Sequence, residues 1–134
     1  MHTILQPEGW AKPRGYANGI AASGRQVYVA GQVGWNAQGA FEARDFVGQF
    51  RQALENVVAV LATAGARPEH VTTMTWFITD KAAYLCEAKA VGRAWREIMG
   101  ANYPAMAVVQ VVALIEDDAL VEIQAQAVVP GGEV

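Results

Sequence analysis

The spacing of apolar positions changes several times along this chain, and each change marks an element. Behind Asp45 they fall at Phe46, Phe50, Leu54, Val57, Val58 and Leu61. That three- and four-residue spacing predicts a helix with one apolar face. Asp45 has the chemistry of an N-cap, and Gly65 followed by Pro68 that of a stop. A second stripe, Tyr84, Ala88, Val91, Trp95 and Ile98, runs behind Asp80 and ends at Gly100. Between the stripes, "VTTMTWFITD" (71 to 80) is rich in β-branched and aromatic residues and predicts a strand. "YANGIAASGRQVYVAGQVG" predicts two short strands around Ser23-Gly24-Arg25, the second from Gln26 to Gly31. "AMAVVQVVAL" and "ALVEIQAQAVV" predict two more, joined by the acidic turn 115 to 118. Residues 1 to 15 hold two prolines and two glycines and read as an extended arm; "GWNAQGAF" reads as a loop. The order is β-β-α-β-α-β-β. It predicts an α/β (α+β) fold with right-handed crossovers and both helices on one face of a sheet. The nearly continuous apolar runs of the last strands predict that the other face is covered too.

Composition says what covers it. The chain has 134 residues, enough for one domain, yet 53% are apolar and 17% charged, against about 25% charged in an average domain. A short chain has little interior to hide so much apolar surface. The expectation is a homo-oligomer. The net charge of −3, without a cluster of basic residues, argues against nucleic acid as a partner. A single cysteine, Cys86, excludes an internal disulfide and fits a reducing compartment. The N-terminal stretch lacks a signal-peptide pattern, and no segment approaches the ~20 apolar residues of a membrane span. A cytoplasmic protein is expected.

Familiar catalytic signatures are missing. His2, His70 and Cys86 lack the spacing of a metal site. Ser23, the only serine, sits in a predicted turn, which makes a serine triad implausible. No glycine-rich phosphate loop is present. Cys86 and His70 are the types of a nucleophilic pair, but a partly buried structural thiol is the simpler reading. What is left is sparse: Tyr16 in "RGYANG", then Ala30, Gly31 and Gln32 at the end of a strand, and Glu122 inside an apolar strand. A buried carboxylate is costly unless hydrogen-bonded. Glu122 is therefore either a general base in a cleft or an outward-facing strand residue. Val121, Ile123 and Ala125 share a face, but Glu122, Gln124 and Gln126 do not separate cleanly from them, and both readings stay open.

Five segments in order resemble the Rid family (reactive intermediate deaminases, also called the YjgF family) over nearly the whole chain. They are "GYANGI", "VYVAGQVG", "QFRQALENVVAVLATAGA", "VTTMTWFITD" and "YPAMAVVQVVAL…ALVEIQAQA". The resemblance implies a chorismate-mutase-like fold and a trimeric barrel with clefts between subunits. It also implies hydrolysis of enamines and imines such as 2-aminoacrylate, without metal or organic cofactor. In that family an arginine after "P-A" grips the substrate carboxylate, a glutamate orients water, and backbone near the "G-Q" strand touches the substrate. Carried over by position, Glu122 is the catalytic residue, and Tyr16, Ala30 and Gly31 match the substrate-binding pattern. Ala88 stands where the family has a helix asparagine, and Val108 where it has a cysteine. The arginine's place, after Pro104-Ala105, is taken by Met106.

Methionine cannot pair with a carboxylate. A charge-assisted hydrogen bond contributes roughly 1.5–3 kcal/mol, so its loss weakens transition-state binding by roughly ten- to a thousandfold. Efficient 2-aminoacrylate hydrolysis is not expected, and an apolar or larger ligand is favoured. Arg14, two residues before Tyr16, is either a substitute clamp or a solvated surface arginine. Trp35 either walls the cleft or packs at an interface. Two functions follow: a Rid-type hydrolase of an altered imine or enamine, or a non-catalytic trimer that binds a small metabolite. Some Rid relatives carry endoribonuclease labels, which the acidic balance of this chain supports poorly.

Overall fold

The structure, a computed structural model, describes residues 2–131. Six strands and three helices follow in the order β1 (Thr3–Leu5), β2 (Gly19–Ala21), β3 (Arg25–Val33), α1 (Phe46–Thr63), β4 (Val71–Ile78), α2 (Lys81–Cys86), α3 (Ala88–Met99), β5 (Ala105–Gln110) and β6 (Val121–Val129). The main sheet has the order β3-β6-β4-β5; β1 and β2 form a separate antiparallel pair. β6 runs antiparallel to both neighbours, and β4 and β5 are parallel. The helices lie on one face, as the apolar spacing predicts.

Helix α1 begins where Asp45 caps it, accepting from the Gly48 amide at 3.0 Å. Its buried face is Phe46, Gln49, Phe50, Ala53, Leu54, Val57 and Leu61, and it packs on β3 and β6. Gly65, at φ 72°, lets the Ala66 amide return to the Leu61 carbonyl at 3.0 Å. Asp80 caps α2 by accepting from the Ala83 amide at 3.1 Å. The sheet answers with Met74, Trp76 and Ile78 of β4 and Val121, Ile123, Ala125 and Ala127 of β6, all buried.

Three sequence expectations need correction, and one open reading is decided. The arm is not merely extended: Thr3–Leu5 pairs with Gly19–Ala21, and Gln6 ties the intervening loop down by bonding Trp10 O, Ala11 O and Asn18. The second helix is two helices. Glu87 closes α2 and opens α3 at φ −102°, ψ 19°, a bend that leaves Cys86 exposed rather than partly buried. β5 stops at Gln110 rather than continuing to Leu114: the Val111 amide still donates to Ile78 O at 2.8 Å, but β4 ends at Ile78, and Val112 and Ile115 beyond it are fully exposed. Finally, β6 alternates from Val121 to Ala127. Val121, Ile123, Ala125 and Ala127 face the helices, while Glu122, Gln124 and Gln126 are less buried and face the other way.

That other face carries no helix among the described residues. Tyr28, Thr73, Thr75, Gln124 and Gln126 line a shallow depression on it, of about 210 Å³.

Candidate functional site

A larger cleft, about 490 Å³, opens on the helix side between β4, β5, α2, α3 and the segment before β2. Its walls are aromatic. Trp76 of β4 meets Tyr84 of α2 edge-on, with centroids 6.2 Å apart, and Trp95 of α3 at 5.8 Å. Trp95 in turn stacks on Tyr103 at 6.0 Å, with planes 14° apart. Met106 and Val108 line the cleft from β5. They register with Met74 and Trp76, so both project from the helix-facing side of the sheet.

The segment that carries Arg14 and Tyr16 is pinned to this cleft by backbone. The Ala17 amide donates to Pro104 O at 2.9 Å, forming an isolated parallel bridge between Ala17 and Ala105. The buried Ala17 therefore holds its exposed neighbours next to the start of β5. Arg14, Tyr16, Ala88, Met106 and Val108, named from the sequence, all line the one cleft. Arg14 is exposed and lines the cleft at the same time. Arg96, which the sequence reading passed over, lines it as well. It lies four residues after Gly92 and eight after Ala88, both of which line the cleft from α3, and that row is the signal that would have found it. Among the described residues neither arginine forms an ion pair.

Two polar groups in the wall stand out. The Trp95 indole donates to Asn102 O at 3.2 Å. The Trp76 indole Nε1, fully buried, has no hydrogen-bond partner among the described residues. Tyr84 is half-buried, and loss of solvent pushes its phenol above the ordinary tyrosine value, so it stays protonated through the neutral range.

The rest of the expected set lies elsewhere. Glu122 pairs with Phe77, one residue out of phase with Trp76 and hence on the opposite face of the sheet from Met106. Its carboxylate rests on Gly31. A β-carbon added at Gly31 would lie 2.8 Å from Glu122 Cδ and closer still to Oε2. Gly31 belongs to the interruption in the β3–β6 ladder between Val29 and Gln32, where an extra residue bends the strand. Ala30 lies in the same interruption and, like Gly31, does not line the aromatic cleft. Trp35 does not reach it either: its ring sits 5.7 Å from Phe41, and its carbonyl accepts from Asn56 at 2.8 Å. One chain therefore holds two separate clusters, Arg14/Tyr16/Ala88/Met106/Val108 on the helix face and Ala30/Gly31/Glu122 across the sheet.

The start of β6 is fixed by one buried side chain. Gln49 of α1 accepts from the Leu120 amide at 2.7 Å and donates to Asp118 O at 2.9 Å and Ala43 O at 3.1 Å. Glu122 follows two residues later. Gly34 lets α1 come this near β3, since a β-carbon there would sit 2.6 Å from the Gln49 carbonyl oxygen.

Residues 10–129 match the family described as endoribonuclease L-PSP. The chain belongs to the Rid/L-PSP family. It is 31% identical over 113 residues to a 2-iminobutanoate/2-iminopropanoate deaminase of Salmonella typhimurium, covering 84% of this chain and 86% of that one. A RutC family protein of Haemophilus influenzae is 33% identical over 105 residues, 78% and 80% of the two chains. Among solved structures, a Rid family protein of unknown function from Yersinia pestis superposes with a TM-score of 0.85 at 29% identity, covering 96% of this chain and 98% of that one. Escherichia coli TdcF, solved with bound serine, gives 0.67 at 30% identity over 95% and 98% of the chains. As a Rid protein, the chain keeps the family fold. No helix among its described residues is long and apolar enough to cross a membrane.

Proposed function

We propose that this Rid protein takes a small imine- or enamine-like metabolite into a cleft completed by a second subunit of a homotrimer, and hydrolyses it there without a cofactor. One observation carries the reading. Met106 and Glu122 project from opposite faces of the same sheet, so a single chain cannot hold one small ligand between them. A neighbouring copy whose open face is applied to the cleft would bring its Gly31/Glu122 cluster to the first chain's Tyr16 and Met106. The apolar excess of the sequence and the uncovered sheet face support such a neighbour. A relative that acts on 2-iminobutanoate and another that binds serine support a small amino-acid-derived ligand.

The chemistry needs few groups. An enamine first tautomerises to its imine. The Glu122 carboxylate accepts a proton from a water molecule as the water oxygen attacks the carbon of the protonated imine, giving a carbinolamine. Glu122 then returns that proton to the nitrogen, ammonia leaves, and the hydroxyl releases its proton to solvent as the carbonyl forms. Met106 contributes no charge, so 2-aminoacrylate, which offers little besides its carboxylate to hold, is processed weakly or not at all.

The missing charge at Met106 also favours a second reading, a non-catalytic trimer that binds a metabolite in the same cleft. The experiment that separates them is ammonia release from imines generated in situ by an amino-acid oxidase, comparing wild type with Glu122→Gln. In the hydrolytic reading wild type accelerates release and the variant loses roughly 10²–10⁴-fold, with ligand binding retained. Wild type that never exceeds the uncatalysed rate with any imine refutes the hydrolytic reading.

A further inference from the structure

We propose that the cleft selects an aryl-bearing carboxylate, its ring between the aromatic walls and its anion at Arg14 and Arg96. The inference rests on reading this cleft as the ligand-holding half of the site, and it says what Met106 selects.

Trp76, Tyr84, Trp95 and Tyr103 form a continuous aromatic wall, and Met106 adds a polarizable side chain suited to an aromatic edge. Such a wall suits either a cation or a flat apolar group. The charges decide between them. Two arginines line the cleft, and no acidic side chain among the described residues does. Even with the one carboxylate that Glu122 of a neighbouring copy would add, two guanidinium groups leave the cleft net positive, so a cation is repelled and an anion attracted. The arginine forks suit a carboxylate. At about 490 Å³ the cleft is in the size range of sites for drug-sized ligands, roughly 300–1,000 Å³. A three-carbon acid would leave most of it unfilled.

The indole Nε1 of Trp76 is the independent observation. Trp76 is 4% exposed and lines the cleft, yet its N–H has no partner among the described residues. Buried donors of this kind are nearly always satisfied, and the neighbouring Trp95 indole is. A ligand whose acceptor atom reaches this N–H on binding would supply the partner it lacks. With Met106 in the arginine's place, the carboxylate is then gripped from the rim, and the ring occupies the depth of the cleft.

The test is direct binding by calorimetry to the wild-type oligomer, with three probes. Phenylpyruvate carries ring and carboxylate, pyruvate only the carboxylate, and phenylacetone only the ring. The proposal expects phenylpyruvate to bind at least tenfold more tightly than either of the others. Arg14→Gln/Arg96→Gln should lose about tenfold for phenylpyruvate and leave phenylacetone unchanged. Trp76→Phe, checked for an unaltered unfolding temperature, should lose severalfold for phenylpyruvate. Equal affinity for pyruvate and phenylpyruvate overturns the aryl site, indifference to the arginine pair overturns the anion site, and absence of binding by all three overturns both. Tight phenylpyruvate binding without turnover of the phenylalanine-derived imine would instead sink the hydrolytic reading and leave this one standing.

Discussion

Replacing Gly31 by alanine places a methyl carbon 2.8 Å from Cδ and 3.0 Å from Cγ of Glu122. Carbon atoms in contact sit about 3.5–4.0 Å apart, so the carboxylate has to leave. Two escapes exist: Glu122 rotates off its rotamer, at roughly 0.5–1.5 kcal/mol, or the two strands part locally, as in an overpacked core, at about 1–3 kcal/mol. Both are tolerable for folding. The expected result is a folded protein that loses about 1–2 kcal/mol of stability and nearly all the activity that depends on Glu122, roughly a hundredfold or more. Unfolding temperature at fixed protein concentration and ammonia release from an oxidase-generated imine are the two readouts. The double variant with Glu122→Ala sharpens the test. Once the carboxylate is gone the new methyl has room, so the two stability losses should add to less than their sum. An alanine variant with unchanged activity and stability would refute the packing of Glu122 on Gly31.

Three further perturbations follow from the same structure. Gln49→Leu strands the Leu120 amide and two carbonyls, at about 3 kcal/mol or more given ~1–3 kcal/mol per buried unmet group; the unfolding midpoint should drop by roughly 10 °C or more, and an unchanged midpoint contradicts the assigned bonds. Asp45→Ala removes the α1 cap and should cost about 1 kcal/mol in a denaturant titration, whereas Asp45→Asn should restore most of it. His70 is held below its ordinary pKa by desolvation, the attraction of Glu69 opposing, and its Nδ1 accepts from the Arg67 amide at 3.0 Å. Because the folded pKa is the lower one, its contribution to stability is present above the unfolded value of about 6.5 and fades as the pH falls below it. His70→Gln should flatten the wild-type stability curve between about pH 7 and 5; an identical slope in both proteins would rule His70 out.

Much of this architecture was legible in the sequence because its signals are local. Asp45 and Asp80 cap helices through bonds to amides three residues on, and the stripe behind Asp45 buries as its spacing requires. Tertiary context decided the rest. Thr3–Leu5 is too short to announce itself and forms a strand only by pairing with residues across a long loop. The apolar stretch after Gln110 has strand-like residues but no strand beside it. Glu87, neither glycine nor proline, gives no hint of a helix break. At the site, Met106, Val108, Ala88 and Tyr16 were readable from motif position, but the facing of Glu122 stayed open until the burial of β6 decided it. Arg96 was not singled out, since an arginine on a helix usually faces solvent. Nor does any sequence pattern say that Trp76, one aromatic in a β-strand, is buried with an unpartnered N–H.

The central claim is that Met106 retunes a Rid cleft rather than abolishing it. Ammonia and pyruvate release from 2-aminoacrylate generated in situ, for wild type beside Met106→Arg, tests it most directly. Wild type near the uncatalysed rate with the arginine variant at least tenfold faster is the predicted result. Fast wild-type hydrolysis that the arginine variant does not improve would contradict it.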